Sequence, residues 1–274
     1  MSDFSADWLA LREPADAAAR NAGLTAALLD WRRGLGPLTV LDLASGTGAN
    51  LRFLAPRLGG EQRWRLVDHD PILLARGEEH CAKWVAARGM NPTLEWRQLD
   101  LVRAWERLDF CGVHLVTASA LLDLVSAEWL ERLVGRCGEV GAAVFVVLSY
   151  DGTIVWEPAL AGDGSLCEQV NRHQRTDKGF GPALGPDAAA ALAAMLRKLD
   201  YEVMLRPSPW NLGPEQRKMQ AALLEGWVEA ARCIAPEAEE ARADWLAQRR
   251  RWIERGESRL RVGHWDLFAW RNEA

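Results

Sequence analysis

The chain has 274 residues, of which 49% are hydrophobic and 26% are charged, as is usual for a globular protein. Its formal net charge of −5 provides no general attraction to nucleic acid or to anionic lipid. No apolar run reaches the roughly 18 residues of a membrane span, and the five cysteines are odd in number and widely spaced. We therefore expect a cytoplasmic protein without a nucleic-acid partner, a membrane partner or a metal site.

Strands and helices alternate through the first 150 residues. An alanine-rich pattern at residues 14–33 predicts a helix opened by Pro14, and we assign residues 1–36 to an N-terminal helical segment. Five strands are predicted after it, at residues 38–43, 63–67, 93–98, 113–118 and 142–149. Helices are predicted between them, and this alternation indicates a parallel, doubly wound α/β sheet.

The second half of the sequence is less regular. Residues 151–186 are rich in glycine, proline and polar residues, and they predict a long functional loop. A helix and a sixth strand, at 201–206, are expected next. A helical insertion at about 214–256 then precedes a last strand at 259–270, where apolar and polar residues alternate.

The most informative segment is Leu-Thr-Val-Leu-Asp-Leu-Ala-Ser-Gly-Thr-Gly-Ala-Asn at residues 38–50. A strand ends near Asp42, and a turn of small residues leads into an amphipathic helix. Small residues allow backbone amides to approach a ligand closely, and open α/β sheets hold nucleotide-like cofactors at such turns. The dinucleotide fingerprint is incomplete, because Leu51 occupies the place of its third glycine.

Together with the strand ends that follow, this segment resembles motif I of the class I S-adenosylmethionine-dependent methyltransferases. Asp42, Ala44, Gly46 and Gly48 carry the match. Ala44 replaces the usual first glycine, which would matter only if that residue had a positive φ. The resemblance implies a Rossmann-like, mostly parallel seven-stranded sheet with an antiparallel last strand. It also implies additions after strands five and six, within a methyltransferase domain at 37–274.

The resemblance further implies S-adenosyl-L-methionine as the cofactor and S-adenosyl-L-homocysteine as the product. Asp68 would hold the ribose, Asp100 would accept from the adenine amino group, and the Leu101 amide would meet an adenine nitrogen. Arg12 could reach the methionine carboxylate. The expected cofactor-binding residues are Arg12, Asp42, Ala44, Ser45, Gly46, Gly48, Asn50, Asp68, His69, Asp100, Leu101, Ala118 and Ser119.

Four residues are candidates for the methyl-acceptor side. His173, in the loop at 151–186, could act as a general base because the ordinary pKa of histidine is near neutral. Lys178 and Arg175 could hold an anionic acceptor. The alternative is a solvated loop whose charged side chains cap the helix that begins at Asp187. Asp123 is a second candidate base or, alternatively, a helix cap. We therefore take His173, Asp123 and Lys178 as candidate catalytic residues.

These features predict S-adenosylmethionine-dependent methyl transfer to an oxygen, nitrogen or sulfur atom of a small-molecule acceptor. Methylation of RNA or protein is an alternative, but no basic stripe indicates RNA binding. The Asn-Pro-Pro-Tyr signature of base and amide methylases is also missing, since Ala-Ser-Ala-Leu stands at residues 118–121. A further alternative is a non-catalytic, cofactor-binding partner subunit, or an enzyme that uses the sulfonium for other chemistry. A homodimer is compatible with the sequence.

Overall fold

The computed structural model describes residues 5–271, apart from the side chain of Ala241. The helices are α1 (Ala6–Ala19), α2 (Ala22–Arg32), α3 (Ala49–Leu58), α4 (Pro71–Ala86), α5 (Ala127–Val140), α6 (Asp163–Gln174), α7 (Ala188–Arg197), α8 (Arg217–Ile234) and α9 (Glu239–Arg255). The strands are β1 (Leu38–Leu43), β2 (Gln62–Asp68), β3 (Thr93–Gln98), β4 (Leu115–Ser119), β5 (Ala143–Glu157), β6 (Glu202–Pro207), β7 (Trp210–Leu212) and β8 (Arg259–Trp270).

Within residues 5–271 the eight strands form one sheet in the order β3-β2-β1-β4-β5-β8-β6, and β7 also pairs with β8. Strands β1 to β5 are parallel, and β8 is antiparallel to β5, β6 and β7. The predicted α/β class and the antiparallel last strand are therefore confirmed. The strand order reverses at β1, which lies between β2 and β4. In open α/β sheets this switch point leaves a crevice at the carboxyl ends of the strands.

The predicted number of strands was wrong by one. Strand β7 is only three residues long and pairs with the first half of β8, at Leu260–Val262, while β6 pairs with the second half. Alternation of apolar and polar residues over three positions is too short to be recognised in a sequence. Strand β8 is therefore long enough to pair with both β7 and β6 along one edge.

The prediction of a continuous loop at 151–186 was also wrong. Strand β5 continues to Glu157, and α6 occupies Asp163–Gln174. Helix α6 buries only Leu166 and Val170, so its apolar stripe is weak. The helix is therefore hard to recognise in a segment that is rich in glycine and proline. The irregular part is consequently shorter, and His173 lies in the last turn of a helix.

The N-terminal helix begins earlier than predicted. Helix α1 starts after Ser5, whose side chain accepts a hydrogen bond from the Trp8 amide, and Pro14 lies inside the helix. The chain breaks at Arg20, and Asn21 caps α2 by accepting from the Leu24 amide. This break matters for the site, because it turns the chain beside the end of β4.

Each face of the sheet buries its own apolar layer. Trp64, Phe145 and Phe268 belong to one layer, and Val116 and Leu192 belong to the other. The central strands are covered on both faces, as in other parallel sheets. Among residues 5–271, no helix has the length and apolarity required to cross a membrane.

Candidate functional site

A cavity of about 260 Å³, here called the strand-end cavity, opens at the carboxyl ends of β1 to β4. Helix α1 and residues 178–180 form its other walls. It brings together most of the residues that the sequence singled out. Those that line it are Arg12, Asp42, Ala44, Ser45, Gly46, Asn50, Asp68, His69, Asp100, Leu101, Ser119 and Lys178. Within the described part of the chain, Gly48, Ala118, Asp123 and His173 are not among its lining residues.

The turn after β1 is held in an unusual backbone conformation. Ala44 has a φ of 51°, Gly46 of 54° and Gly48 of 78°. A non-glycine residue in the left-handed region costs about 1 kcal/mol or more, so Ala44 holds the strain that the usual glycine would avoid. Gly48 has a packing role: a Cβ there would lie 2.8 Å from the Cys81 Sγ and 3.0 Å from the Trp96 ring.

Asp68 joins the end of β2 to this turn. Its Oδ2 accepts a hydrogen bond of 2.8 Å from the Gly46 amide, and its Oδ1 accepts one of 3.0 Å from the Asp70 amide. The carboxylate is 5% exposed and lies on the cavity wall. Because a carboxylate offers about four lone-pair positions, Asp68 retains acceptor capacity for a ligand hydroxyl group.

Asp42 and Asn50 form a buried polar pair at the end of β1. The Asn50 Nδ2 donates to the Asp42 Oδ1 and to the Thr117 Oγ1, both at 2.9 Å. Burial raises the pKa of Asp42 to about 7, although the bond from Asn50 and the charge of Arg20 oppose that rise. Among residues 5–271, the Asp42 Oδ2, the Asn50 Oδ1 and the Ser45 Oγ find no hydrogen-bond partner.

Arg20 is a buried residue beside the site that the sequence prediction missed; it contacts the lining residue Ser119 but does not itself line the cavity. Its guanidinium is buried, and its Nη2 donates to the Ser119 Oγ at 3.3 Å. Its Nε and Nη1 have no partner in the described structure. Burial lowers the pKa of Arg20, against the opposing charges of Asp266, Asp16 and Asp42. The spacing of four residues between Arg12, Asp16 and Arg20 was the available signal, since it indicates one face of a helix.

Arg12, which we expected to hold a carboxylate, already has one. Its Nε lies 2.9 Å from the Asp16 Oδ2. The other oxygen of Asp16 accepts from the Trp210 Nε1 at 3.0 Å, and the Arg12 guanidinium lies 5.0 Å from the Trp210 ring centroid. The charge of Arg12 is therefore neutralised in the cavity wall, whereas two nitrogen atoms of Arg20 have no hydrogen-bond partner.

Asp100 and Leu101 follow β3, which lies on the opposite side of β1 from β4 and Ser119. The Asp100 Oδ1 accepts from the amides of Val102 and Arg103 at 2.8 and 2.9 Å. Burial would raise the pKa of Asp100, but these two amides, together with the charges of Arg103 and His69, lower it. The Leu101 carbonyl accepts from the Trp129 Nε1 at 2.9 Å, which fixes this segment against α5.

The candidate base Asp123 lies behind the cavity wall. It is buried in a short helical turn, Leu122–Leu124, whose neighbours Leu121 and Leu124 line the cavity. Burial raises the pKa of Asp123 to about 6, while the Tyr150 backbone amide stabilises the charged form. A carboxyl group that titrates near neutrality could exchange a proton, but it would have to reach past the leucines.

His173 and Lys178 form a pair in which only the lysine lines the cavity. The Lys178 Nζ lies 3.2 Å from the His173 Nδ1 and 3.4 Å from its Nε2. Burial and the neighbouring ammonium lower the pKa of His173. Both effects favour the neutral imidazole, and its two ring nitrogens face the lysine.

No protein-family model matches the sequence, and no curated protein matches it. Solved structures with a similar fold do exist. A geranyl diphosphate methyltransferase in complex with S-adenosylmethionine is 12% identical, with a TM-score of 0.50 over 99% of this chain and 93% of that chain. A methyltransferase from Thiobacillus denitrificans in complex with S-adenosylhomocysteine is 16% identical, with a TM-score of 0.49 over 99% and 100%. The chain has the fold of the class I S-adenosylmethionine-dependent methyltransferases.

Proposed function

We propose that this chain, which has the class I methyltransferase fold, binds S-adenosylmethionine in the strand-end cavity and transfers its methyl group to a small-molecule acceptor. The observation that carries the proposal is the set of unpartnered polar atoms at the β1–β4 end of the cavity. Asp42 and Asn50, which line the cavity, each have one side-chain oxygen without a partner. Arg20, which lies behind the lining residue Ser119, has two unpartnered donors. Buried polar atoms are normally hydrogen-bonded, so this set indicates a missing ligand group.

The set is complementary to a zwitterionic amino acid. Guanidinium donors match a carboxylate, and the oxygens of Asp42 and Asn50 match an ammonium group. The remainder of the cavity suits a nucleoside, because Asp68 has acceptor capacity for ribose hydroxyls and Asp100 stands at the end of β3. A ligand with an amino acid at one end and a nucleoside at the other is complementary to both parts of the cavity.

The charges on the cavity wall disfavour a phosphate-bearing cofactor. Four aspartates from the strand ends, Asp42, Asp68, Asp70 and Asp100, line the cavity. They would repel a pyrophosphate, whereas the cofactor that we propose carries a sulfonium charge. This distinguishes the site from the dinucleotide sites that share its strand-turn-helix arrangement.

The chain's residues would act mainly by holding and orienting reactants. S-Adenosylmethionine, when bound, supplies an electrophilic methyl group on a cationic sulfur. Ser119 and Ala120 line the cavity at the end of β4 and have small side chains, so they leave room for a reacting centre. Helix α1 and residues 178–180 cover the cavity, and this enclosure favours a small acceptor and the exclusion of water.

A labelled transfer experiment tests the proposal. The protein would be incubated with S-adenosylmethionine carrying a deuterated methyl group and with pooled small-molecule fractions, RNA or protein. We expect a deuterated methyl group in a small-molecule product and a matching amount of S-adenosylhomocysteine. The Asp68→Ala variant, which loses the bond to the turn amide, serves as the low-activity control.

Each other outcome contradicts a different part of the proposal. Label in RNA or protein alone would contradict the small-molecule acceptor. Cofactor binding without release of S-adenosylhomocysteine from any fraction would favour a non-catalytic partner subunit. Consumption of the cofactor without methyl transfer would indicate other sulfonium chemistry.

A further inference from the structure

Lys178 is an unusual residue in this chain. Only four of its 33 lysine and arginine residues are lysines, at positions 83, 178, 198 and 218. Of these, Lys178 alone lines the strand-end cavity in the described structure. It lies on the loop that covers the cavity, between His173 and the cavity-lining residues Gly179 and Phe180.

Lys178 differs from the other cations of the cavity wall, because no carboxylate lies within 4 Å of its Nζ among residues 5–271. Arg12 is paired with Asp16 at 2.9 Å, and the Arg103 Nε lies 3.8 Å from the Asp100 Oδ2. An ammonium that is partly withdrawn from water is stabilised when an anion lies beside it. Lys178 has only neutral partners.

Those partners leave one donor of Lys178 available. The Nζ donates to the Thr176 Oγ1 at 2.9 Å and contacts the His173 ring. Its distances to the two ring nitrogens are nearly equal, yet their lone pairs diverge, so one N–H cannot point along both. The ammonium therefore makes two interactions with three N–H groups. His173 supports the position of Lys178 and does not itself reach the cavity wall.

Partial burial lowers the pKa of Lys178, and the nearby Cys233 thiol of α8 only partly opposes this. An anion bound beside the Nζ would reverse the effect. The proposed cofactor has a single anionic group, its carboxylate, which the proposed function assigns to the end of the cavity near Asp42, Asn50 and Ser119. With the cofactor's carboxylate at that end, a second ligand is the remaining source of an anion for Lys178.

We propose that Lys178 binds an anionic group, a carboxylate or a phosphate, on the methyl acceptor, and that His173 is a positioning residue for Lys178. This inference rests on the proposed function, because it assigns the second ligand of the same cavity. It narrows the acceptor to a small anionic molecule. It also gives His173 a role different from that of a general base.

Lysine NMR can test this with simple anions in place of the acceptor. With only four lysines, protein labelled with 13C at lysine Cε gives a spectrum that single Lys→Arg variants assign. The protein, with and without bound S-adenosylhomocysteine, would be titrated with acetate and, separately, with inorganic phosphate at constant ionic strength. We expect a saturable shift and a raised pKa at Lys178 in the S-adenosylhomocysteine complex. The anion that binds at Lys178 with the higher affinity identifies the chemical class of the acceptor's anionic group.

Variants separate binding from structure. Lys178→Met should weaken anion binding by roughly tenfold or more, and the matched Lys198→Met should leave it unchanged. His173→Asn should weaken anion binding several-fold while the affinity for S-adenosylhomocysteine stays the same. An unchanged anion affinity in His173→Asn would overturn the positioning role.

Two results would overturn the assignment of Lys178. One is an anion-induced shift no larger at Lys178 than at Lys198 and Lys218, which would indicate only general ionic effects. The other is a raised Lys178 pKa caused by S-adenosylhomocysteine alone, with loss of acetate binding, since the cofactor's carboxylate would then occupy the position. The proposed function is tested separately in the same samples: it would be contradicted if the protein did not bind S-adenosylhomocysteine.

Discussion

Replacing Arg20 by glutamine tests the amino-acid end of the strand-end cavity. The Nε and Nη1 of Arg20 are buried and unpartnered, and only the Nη2 is engaged, by Ser119. A hydrogen bond to a charged group contributes about 1.5–3 kcal/mol. Two such bonds to one carboxylate share its charge, so we expect a loss of about 2–3 kcal/mol, or roughly 30- to 150-fold in affinity.

The assay compares two ligands by titration calorimetry. S-Adenosylhomocysteine contains the amino acid, whereas 5′-methylthioadenosine has the same nucleoside thioether without it. The affinity for S-adenosylhomocysteine should fall in Arg20→Gln, and the affinity for 5′-methylthioadenosine should stay within about twofold. Arg20→Lys should retain part of the affinity, because it keeps the charge but loses the planar donor pair.

Arg12→Gln is the matched comparison on the same side of the cavity, since Arg12 is already neutralised by Asp16. It should affect S-adenosylhomocysteine much less than Arg20→Gln does. Removing Arg20 also removes a counter-charge from Asp266 and Asp42, so thermal unfolding must show that the variant is folded. The reasoning is refuted if a folded Arg20→Gln protein binds S-adenosylhomocysteine normally, or if both ligands weaken equally.

Further predictions concern the strand ends. Gly46→Val should abolish S-adenosylhomocysteine binding in calorimetry, because φ is +54° and a Cβ would meet the Leu9 Cδ1 at 3.0 Å; a folded variant that still binds would contradict this. Asp68→Ala should weaken the same ligand by about 1–3 kcal/mol, and an unchanged affinity would remove Asp68 from the site. For Asp42, the folded pKa of about 7 exceeds the ordinary 3.8, so the folded state binds more protons between those values. Unliganded wild type should therefore lose stability relative to Asp42→Asn as the pH rises from about 4 to about 7; urea denaturation showing a pH-independent difference would refute the assigned burial.

The parts of the fold that could be predicted are those with a strong local pattern. Strands β1 and β2 combine apolar runs with an aspartate near the carboxyl end, and these two aspartates, Asp42 and Asp68, line the cavity. Strand β7 could not be predicted, because three residues carry no periodicity and its partner residues in β8 lie about 50 positions later in the chain. Helix α6 has only two buried apolar residues to indicate it.

The parts of the site that depend on local backbone structure could be predicted from the sequence. The parts that depend on packing between distant segments could not. The turn of small residues fixed the location of the cavity, although the positive φ of Ala44 could be read only from the structure. Arg20 was missed because its role arises from the chain break after α1, which places it beside Ser119, 99 positions later. Arg12 has the same residue type and pairs with Asp16 within one helix, but the contacts of this pair with Trp210 depend on β7.

The most direct test of the central claim, that the strand-end cavity is the cofactor site, is a crystal structure of the wild-type protein with S-adenosylhomocysteine. The claim predicts electron density along the ends of β1 to β4. It places the ligand's carboxylate against Arg20, its ribose at Asp68 and its adenine at Asp100 and Leu101. Density elsewhere on the protein, or a reversed ligand with its adenine at Arg20, would contradict it.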